Sequence, residues 1–283
     1  MLSTKQKVLI ARYLCALVVG LRRLFGLGSS VAADRRGVRW SLDLKEGIDL
    51  AIYVLGGFEL RTLRRYRQIV HDGNIVLDIG ANVGAHTLPL ATLVGEQGRV
   101  FAFEPTRYAI DKLMRNLDLN PALAKRVTAR QIMLAANEVD ALPAGIYSSW
   151  PLERLADVHP DHQGRLMSTQ GATVTTLDRF VREAGLTRVD FIKLDVDGNE
   201  HDVLLGARET LTRFNPTLLM ELAPCVHDSS PGRFERILQF LWDLGFEIAN
   251  VSNGQRLPHD PGKIRGLIPQ GGGINALVTL RVN

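Results

Sequence analysis

The sequence predicts an α/β fold with a seven-stranded, mostly parallel sheet, one antiparallel edge strand and helices on both faces. Short apolar runs alternate with helical patterns, which favours right-handed crossovers and parallel strands. Residues 75–79 form an apolar run that is typical of a buried strand, and a glycine turn and a helical pattern follow it. Two closing strands, 246–251 and 274–282, have no predicted helix between them and indicate the antiparallel edge. This order of elements is typical of a Rossmann-like sheet.

The length and composition indicate one α/β domain with an added segment. Of the 283 residues, 46% are hydrophobic and 23% are charged, which suits a globular protein with an ample core. The formal charge of +4 is modest and no basic–aromatic module occurs, so nucleic-acid binding is not indicated. Cys15 and Cys225 lie far apart without a C-x-x-C motif, which fits a reducing compartment and predicts a cytoplasmic location.

The N-terminal segment predicts an amphipathic helix. Residues 8–21 are apolar except for Arg12, and 14 residues fall short of the ~20 that a membrane-spanning helix needs. We expect a helix that caps the domain, faces a partner or lies on a membrane surface, with a cleaved signal peptide as the alternative. Residues 1–66 are predicted to form this helical or capping extension, and residues 67–283 the main domain. Peripheral membrane contact and a homodimer are both left open.

The remaining elements follow from apolar periodicity and turn residues. Helices are predicted at 60–70, 85–94, 107–119, 175–184, 199–212 and 234–244, and strands at 75–79, 99–103, 127–134, 189–194 and 216–222. Residues 38–52 are predicted to hold short strands or a hairpin. Residues 140–172 break the alternation, and we expect them to form a lid or substrate-binding insertion.

The glycine turn after the first core strand carries the strongest functional signal. It contains Gly80, Ala81, Asn82 and Gly84, and it lacks the middle glycine of a dinucleotide-binding G-x-G-x-x-G motif. Asp78 precedes the turn by two residues, where a carboxylate would repel a pyrophosphate and attract an ammonium group or a sulfonium. S-adenosylmethionine carries both of these positive groups and no phosphate.

The end of the next predicted strand supplies a second acidic residue. Glu104 follows this strand, 24 positions after Gly80, close to the spacing of about 20 that is typical of a carboxylate that accepts hydrogen bonds from ribose hydroxyls. Asp78 and Glu104 together predict an S-adenosylmethionine site. A helix cap at Asp78 and a solvated strand end at Glu104 are the structural alternatives.

A group of carboxylates follows the later strands of the predicted sheet. Ligands of open α/β sheets bind beyond the carboxyl ends of the strands, so Asp195, Asp197, Glu200 and Glu221 are the candidates for a catalytic base or for positioning an acceptor. Glu200 would also suit a charge–dipole role in the first turn of its helix. No metal site is assigned, although Asp195, Asp197 and Glu221 would offer three hard oxygen ligands if they converged.

Four blocks of the sequence together resemble one protein family. The blocks are VLDIGANVGAHT, VFAFEP, the pair Asn116 and Asn120, and FIKLDVDGNEHDVLLGA. In this order they resemble the FkbM family of S-adenosylmethionine-dependent methyltransferases over residues 70–222. The resemblance implies a class I methyltransferase fold and O-methylation of a hydroxyl on a sugar, a polysaccharide precursor or a secondary metabolite. Five further residues complete the expected cofactor site, because they directly follow the glycine turn or a predicted strand: His86, Thr87, Pro105, Ala135 and Asp195.

Two other functions are weighed beside methyl transfer. A nucleotide-sugar or NAD-dependent oxidoreductase could use the same sheet, but Asp78 and the missing middle glycine speak against it. A non-catalytic module that holds the cofactor within a biosynthetic assembly is the other alternative, and the acidic cluster around Asp195 speaks against it only weakly.

Overall fold

The computed structural model describes residues 4–153, 164–228 and 230–281, in which strands alternate with helices. The helices are α1 (Thr4–Leu24), α2 (Gly47–Leu55), α3 (Leu60–Ile69), α4 (Thr87–Leu93), α5 (Arg107–Asp118), α6 (Pro121–Ala124), α7 (Leu177–Glu183), α8 (Glu200–Leu205), α9 (Arg208–Phe214), α10 (Arg233–Asp243) and α11 (Pro261–Leu267). The strands are β1 (Ser30–Arg35), β2 (Val38–Asp43), β3 (Ile75–Ile79), β4 (Arg99–Phe103), β5 (Val127–Arg130), β6 (Ile132–Leu134), β7 (Gly145–Ser148), β8 (Arg165–Ser168), β9 (Thr173–Thr175), β10 (Phe191–Leu194), β11 (Thr217–Leu222), β12 (Phe246–Asn250) and β13 (Ile274–Leu280).

The main sheet has seven strands in the order β12-β13-β11-β10-β3-β4-β5. The pairs from β11 to β5 are parallel, whereas β13 is antiparallel to both β11 and β12. The predicted seven-stranded, mostly parallel sheet with one antiparallel strand is therefore confirmed. The antiparallel strand lies one position in from the edge, because β13 inserts between β12 and β11.

The connection between the last two strands differs from the prediction. α11 lies between β12 and β13, although the sequence analysis expected no helix there. Asp260 caps this helix by accepting a hydrogen bond from the backbone N–H of Lys263, and Pro261 occupies the first turn. These are ordinary helix-start signals, but the helix has only seven residues and two of them are glycines, which weakens its periodic pattern.

The hydrophobic core lies on both faces of the sheet, as the alternation along β3 shows. Leu77 packs in a cluster with Leu211 and Leu238 from the helices of one face, whereas Val76 packs with Leu63 and Leu90 on the other. All but one of the residues of β3 are buried, which explains why the strand appears in the sequence as a continuous apolar run.

The register brings the carboxyl ends of four strands to one edge of the sheet. Ile79 of β3 pairs with Leu194 of β10 and Phe103 of β4, and Leu194 pairs with Met220 of β11. The strand predicted over 127–134 is divided, because only β5 joins the sheet while β6 turns away to pair with β9. The segments after β3, β4, β10 and β11, together with β6, are thereby gathered at this edge.

The N-terminal part of the chain packs against the segment that follows β3. β1 and β2 form an antiparallel hairpin, whereas residues 47–52, the second part of the segment expected to hold short strands or a hairpin, belong to α2. Trp40 and Ile52 share a hydrophobic cluster with Val83 and Leu113. The division at residue 66 stays a prediction, since these residues share one core with the main domain.

Asn116 and Asn120 hold the β1–β2 hairpin against the rest of the domain through hydrogen bonds. Asn116 accepts a hydrogen bond from the backbone N–H of Ser41 and donates one to the carbonyl of Val83. Asn120 accepts from the backbone N–H of Arg39 and donates to its carbonyl. α5 therefore connects β2 to the glycine turn through side-chain amides, which gives these asparagines a structural role.

The first helix is longer than the apolar run predicted. α1 has 21 residues and ends with Arg22 and Arg23 in its last turn. In the part of the chain that the structure describes, no helix is long and apolar enough to cross a membrane.

The insertion expected at 140–172 contains a short hairpin. β7 and β8 are antiparallel and pair from Gly145 to Ser148. Residues 154–163 lie outside the described residues, so the lid role of this segment stays a prediction.

Candidate active site

The glycine turn after β3 needs its first glycine for two reasons. Gly80 has a φ of +80°, and a Cβ at this position would lie 1.8 Å from the carbonyl oxygen of Asp195. The turn therefore passes against the segment that follows β10 at a distance that no side chain permits. Asn82 also adopts a positive φ, of 48°, which asparagine tolerates better than most residues.

Glu104, at the end of β4, holds this turn in place. The residue is buried, and one carboxylate oxygen accepts a hydrogen bond of 2.9 Å from the backbone N–H of Asn82. The other oxygen accepts from the backbone N–H and the hydroxyl of Thr106, at 2.9 and 2.5 Å. Burial raises the pKa of Glu104, and the hydrogen bonds from Thr106 and Asn82 oppose that rise. Glu104 therefore links β4 to the glycine turn.

A cavity of about 560 Å³ opens between the glycine turn and β6, and we call it the Glu104 cavity. The polar residues of its lining are Asn82, Glu104, Thr106, Tyr147, Ser148, Asp195, Asp197 and Asn199. Apolar side chains line it as well, among them Phe103, Pro105, Ile132, Met133, Leu134 and Ile146. Apolar walls beside a buried carboxylate fit a nucleoside, whose base is flat and whose ribose has hydroxyl donors.

Asp78 lies beneath the glycine turn and is not part of the cavity wall. It is fully buried, and its Oδ2 accepts a hydrogen bond of 2.6 Å from the hydroxyl of Thr87. Lys193 Nζ lies 3.9 Å from Oδ1, which has no hydrogen-bond partner among the described residues. Burial raises the pKa of Asp78, while the charge of Lys193 opposes the shift. The prediction that Asp78 lies beside an ammonium group of the cofactor is corrected, because Thr87 and Lys193 occupy its surroundings.

Three other residues of the predicted cofactor site are also absent from the lining of the Glu104 cavity. Thr87 is fully buried and bonded to Asp78, and Gly84 packs against Leu88 and Leu113. Ala135 is buried because Gly206 approaches its carbonyl so closely that a Cβ on Gly206 would lie 2.1 Å from that oxygen. These residues shape the turn and the end of β6, whereas Gly80, Asn82, Glu104, Pro105 and Asp195 line the Glu104 cavity.

A second cavity, of about 610 Å³, lies on the other side of the glycine turn, and we call it the acidic cavity. Four carboxylates line it, and Lys193 is the one lysine or arginine among the described residues of its wall. The lining comprises Ile48, Phe58, Glu59, Gly80, Ala81, Asn82, Ala85, His86, Ser149, Trp150, Lys193, Asp195, Asp197 and Glu221. The predicted residues Ala81, His86 and Glu221 therefore belong to this cavity. Asp195 and Asp197 line both cavities, so the two adjoin at the end of β10.

Lys193 is a buried cation at the base of the acidic cavity. Its Nζ lies 3.1 Å from Asp195 and donates a hydrogen bond of 3.2 Å to the carbonyl of Gly80. Burial would lower the pKa of Lys193, but the charges of Asp195 and Asp78 raise it. The lysine therefore stays protonated and holds the Asp195 carboxylate at the junction of the two cavities.

The predicted convergence of three carboxylates is present. One carboxylate oxygen each from Asp195, Asp197 and Glu221 lies within 4.8 Å of the other two, so these residues could hold a hard cation. Crowding by protein atoms, then repulsion by Asp195 and Glu200, raises the pKa of Asp197. Asp197 is exposed, so water weakens the effect of the surrounding protein atoms on its pKa. Repulsion by Asp195 is therefore the main reason that the pKa of Asp197 is raised.

Glu200 is corrected from a catalytic candidate to a structural residue. It is 3% exposed and lines neither cavity. Its carboxylate accepts hydrogen bonds from the backbone N–H groups of Gly198 and Val196, and His227 Nε2 lies 3.3 Å away. Burial would raise the pKa of Glu200, but the hydrogen bond from His227 lowers it below its ordinary value. Glu200 therefore holds the turn that carries Asp197.

Two residues of the acidic cavity were missed in the sequence. Glu59 precedes α3 with a φ of +50°, and it accepts a hydrogen bond of 2.8 Å from Asn275 Nδ2. Ser149 follows β7 with a φ of +60°. A left-handed conformation at a residue other than glycine is costly and is typical of functional sites. Neither residue belongs to a motif, so the sequence offered no signal for them.

The Glu221→Gln substitution is expected to stabilise the protein more at pH 8 than at pH 5. Burial, then the charges of Asp195 and Glu59, raises the pKa of Glu221 well above its ordinary value. A carboxyl group that holds its proton more tightly in the folded state stabilises that state below its unfolded pKa. This stabilisation is lost as the pH rises through the folded pKa. Glutamine does not ionise, so the variant does not lose this stability as the pH rises.

Thermal unfolding of the wild type and the variant at both pH values measures this effect. We expect the gain in Tm to be larger at pH 8 by roughly 2–4 °C, the shift that about 1 kcal/mol gives in a chain of this size. Glu209→Gln, at an exposed glutamate paired with Arg182, is the control and should show no such difference. An equal gain at both pH values would contradict a raised pKa.

Comparison with known proteins agrees with this geometry. The family model described as "Methyltransferase FkbM domain" matches residues 78–248, more than half of the chain. The chain belongs to the FkbM methyltransferase family. The matched segment contains Glu104, the glycine turn, β10 and β11, so the FkbM domain includes the walls that the two cavities share. The assignment confirms the predicted methyltransferase class, with S-adenosylmethionine as cofactor.

Individual relatives are more distant. The 2-O-methyltransferase NoeI of Sinorhizobium fredii is 29% identical over 164 residues, which cover 54% of this chain and 66% of NoeI. The hexuronic acid methyltransferase AglP of Haloferax volcanii is 25% identical over 161 residues, or 56% of this chain and 59% of AglP. The chain thus spans less than two thirds of either relative. A solved structure of methyltransferase FkbM from Methylobacillus flagellatus KT is 20% identical, with a TM-score of 0.41, and covers 77% of this chain and 50% of that one.

Proposed function

We propose that this protein transfers a methyl group from S-adenosylmethionine to a hydroxyl oxygen of a sugar, a polysaccharide precursor or a secondary metabolite. The observation that carries the proposal is the meeting of the two cavities at Asp195. In this proposal the Glu104 cavity holds the nucleoside of the cofactor, and the acidic cavity next to it holds the acceptor. NoeI and AglP are named as methyltransferases of a 2-O position and of hexuronic acid, which supports a sugar as the acceptor.

The residues at the junction suit a displacement reaction. The bound cofactor supplies an electrophilic methyl group, and the acceptor oxygen must be held in line with it, which accounts for much of the acceleration in such reactions. Asp195 lies where it can orient the hydroxyl and accept its proton. Lys193 Nζ, 3.1 Å away, pairs with the Asp195 carboxylate and fixes its orientation. Asp197 and Glu221 lie within 4.8 Å and can take part in the same proton transfer.

The Asp195→Asn substitution tests this role. The amide keeps the shape of the side chain but cannot accept the proton, so we expect the rate of methyl transfer to fall about 100-fold or more. The rate is measured with radiolabelled S-adenosylmethionine and a panel of glycosides, and cofactor affinity is measured by calorimetry alongside it. Asp118→Asn, at an exposed position on α5, is the matched control. An unchanged rate in Asp195→Asn would remove the proposed role.

The same measurements separate methyl transfer from the alternatives. A protein that binds the cofactor and methylates no hydroxyl in the panel would fit a non-catalytic module. The acidic cavity gives little support to an oxidoreductase that binds a pyrophosphate, because four carboxylates line it against one lysine.

The proposal includes a cytoplasmic protein that touches a membrane surface through α1. Apolar side chains along one part of this helix are exposed: Ile10, Tyr13, Leu17, Leu21 and Leu24 are each more than half accessible. Arg22 and Arg23 in the last turn would favour an anionic surface. Sedimentation with anionic vesicles tests this contact, and a dimer that buries the same side chains is the competing outcome. No basic module supports a nucleic-acid partner.

A further inference from the structure

Two buried polar atoms in the wall of the acidic cavity lack hydrogen-bond partners among the described residues. They are His86 Nε2 and Ser149 Oγ, on residues that are 4% and 7% exposed. Glu59 Oε2 lies 3.8 Å from His86 Nε2, beyond hydrogen-bonding distance. A buried polar atom left unpaired is costly, so both atoms indicate a ligand in this cavity.

The surroundings of His86 show that its free nitrogen is a donor. Its Nδ1 lies 2.9 Å from the hydroxyl of Tyr66, a fully buried side chain. Burial raises the pKa of Tyr66 well above its ordinary value and lowers that of His86 well below its own, so the phenol keeps its proton and the imidazole is neutral. Tyr66 has no other hydrogen-bond partner in the described part of the chain, so its hydroxyl proton is satisfied only when the phenol donates to Nδ1, and we assign the tautomer on that basis. The ring proton therefore lies on Nε2.

The other polar groups of the cavity are mainly acceptors. Asp195 is paired with Lys193, whereas Glu59, Asp197 and Glu221 have no ion pair with a lysine or arginine within the described part of the chain. Glu59 accepts from Asn275 and keeps further acceptor capacity. The described wall thus combines two unpaired polar atoms, on His86 and Ser149, with four carboxyl groups and one lysine that is already paired with Asp195. The raised pKa values of Glu59, Asp197 and Glu221 agree with a cavity in which further negative charge is unfavourable.

We infer that the acidic cavity is the acceptor site and that it selects an uncharged polyol, such as a neutral sugar ring, over a sugar that carries a carboxylate. A hydroxyl group both donates and accepts, so adjacent hydroxyls can satisfy His86 and Ser149 as well as Glu59 and Glu221. This inference rests on the proposed function and specifies the substrate class of that site.

Charged ligands match the cavity less well. A carboxylate could accept from His86 and Ser149, but the described wall has no unpaired cation to balance its charge, and each carboxyl group that ionises nearby would repel it. An ammonium group or a metal ion would satisfy the carboxylates and leave the two donors unpaired. A neutral polyol is the class that serves both sets of groups.

Matched pairs of glycosides test the inference directly. Each pair differs only in a CH₂OH group replaced by a carboxylate: the methyl glycosides of glucose and glucuronic acid, galactose and galacturonic acid, and mannose and mannuronic acid. Binding is measured by saturation-transfer NMR on the full chain saturated with S-adenosylhomocysteine. We expect the neutral member of at least one pair to bind about 10-fold or more tightly than its acid.

Two variants show whether the glutamates cause this preference. In Glu59→Gln and Glu221→Gln the preference, measured at pH 8, should fall severalfold, because the wild-type carboxyl groups repel the acid where they ionise and the neutral glutamine does not. Glu209→Gln is the control and should keep the wild-type ratio. The inference is overturned by acids that bind as well as their neutral partners, by a ratio that neither variant changes, or by the absence of neutral-sugar binding.

Methyl transfer to the same glycosides separates this inference from the proposed function. Neutral-sugar binding that depends on Glu59 and Glu221, with no methyl transfer to any hydroxyl, would retain the inferred site and reject the enzymatic function. Methyl transfer that favours the acids would retain the function and reject the inferred selectivity.

Discussion

Replacing Gly80 by alanine is expected to destabilise the protein by roughly 3 kcal/mol or more, the combined scale of a strained backbone and an overpacked side chain. The new Cβ would lie 1.8 Å from the carbonyl oxygen of Asp195, which is backbone and cannot rotate away, and the φ of +80° is unfavourable for alanine. The turn after β3 must then separate from the end of β10. Urea unfolding measures the loss of stability.

A matched variant separates backbone strain from the clash. Gly254 has a φ of +72°, and a Cβ there would meet no atom within 4 Å. Gly254→Ala should therefore cost only the strain, about 1–2 kcal/mol. Where Gly80→Ala still folds, we expect its cofactor affinity to fall as well, because Gly80 lines both cavities. Equal losses of stability in the two variants would contradict a close contact between the glycine turn and the segment that follows β10.

Replacing Glu104 by glutamine is expected to weaken S-adenosylmethionine binding about 100-fold or more. The carboxylate accepts three hydrogen bonds, from Asn82 and Thr106, and an amide would place a donor against at least one of these donors. A carboxylate also keeps acceptor capacity for the ribose hydroxyls, and a hydrogen bond to a charged group is worth about 1.5–3 kcal/mol, so the loss of one or two bonds to the cofactor accounts for this factor. The substitution also removes the charge that faces the proposed ribose position.

Calorimetric titration with S-adenosylmethionine measures the loss in Glu104→Gln. Circular dichroism and Tm establish that the variant is folded, and Glu209→Gln again serves as the control of equal charge change. An affinity within twofold of the wild type would mean that the nucleoside does not bind in the Glu104 cavity.

The sheet and the glycine turn could be predicted because their signals are local. β3 is a continuous apolar run with a glycine directly after it, and Glu104 follows its strand at a characteristic distance along the chain. Strand order then brings such residues to one edge without further information. The same reasoning placed Asp195 and Glu221 at that edge, where the structure has them lining the acidic cavity.

The orientation of individual side chains could not be predicted in this way. Asp78 lies near the end of its strand as expected, but its side chain lies beneath the turn with Thr87 and Lys193, because alternate residues of a strand face opposite sides. Glu200 looked equivalent to Asp197, yet contact with His227, from a segment 27 positions later, buries it. Glu59 reaches the cavity from the N-terminal part of the chain through packing between distant segments.

The central claim is that a phosphate-free nucleoside, S-adenosylmethionine, binds in the Glu104 cavity. Isothermal titration calorimetry of the wild-type protein with S-adenosylmethionine and, separately, with NAD tests it most directly. The structure predicts one S-adenosylmethionine molecule bound per chain and no heat of binding with NAD. Saturable binding of NAD together with no binding of S-adenosylmethionine would contradict it.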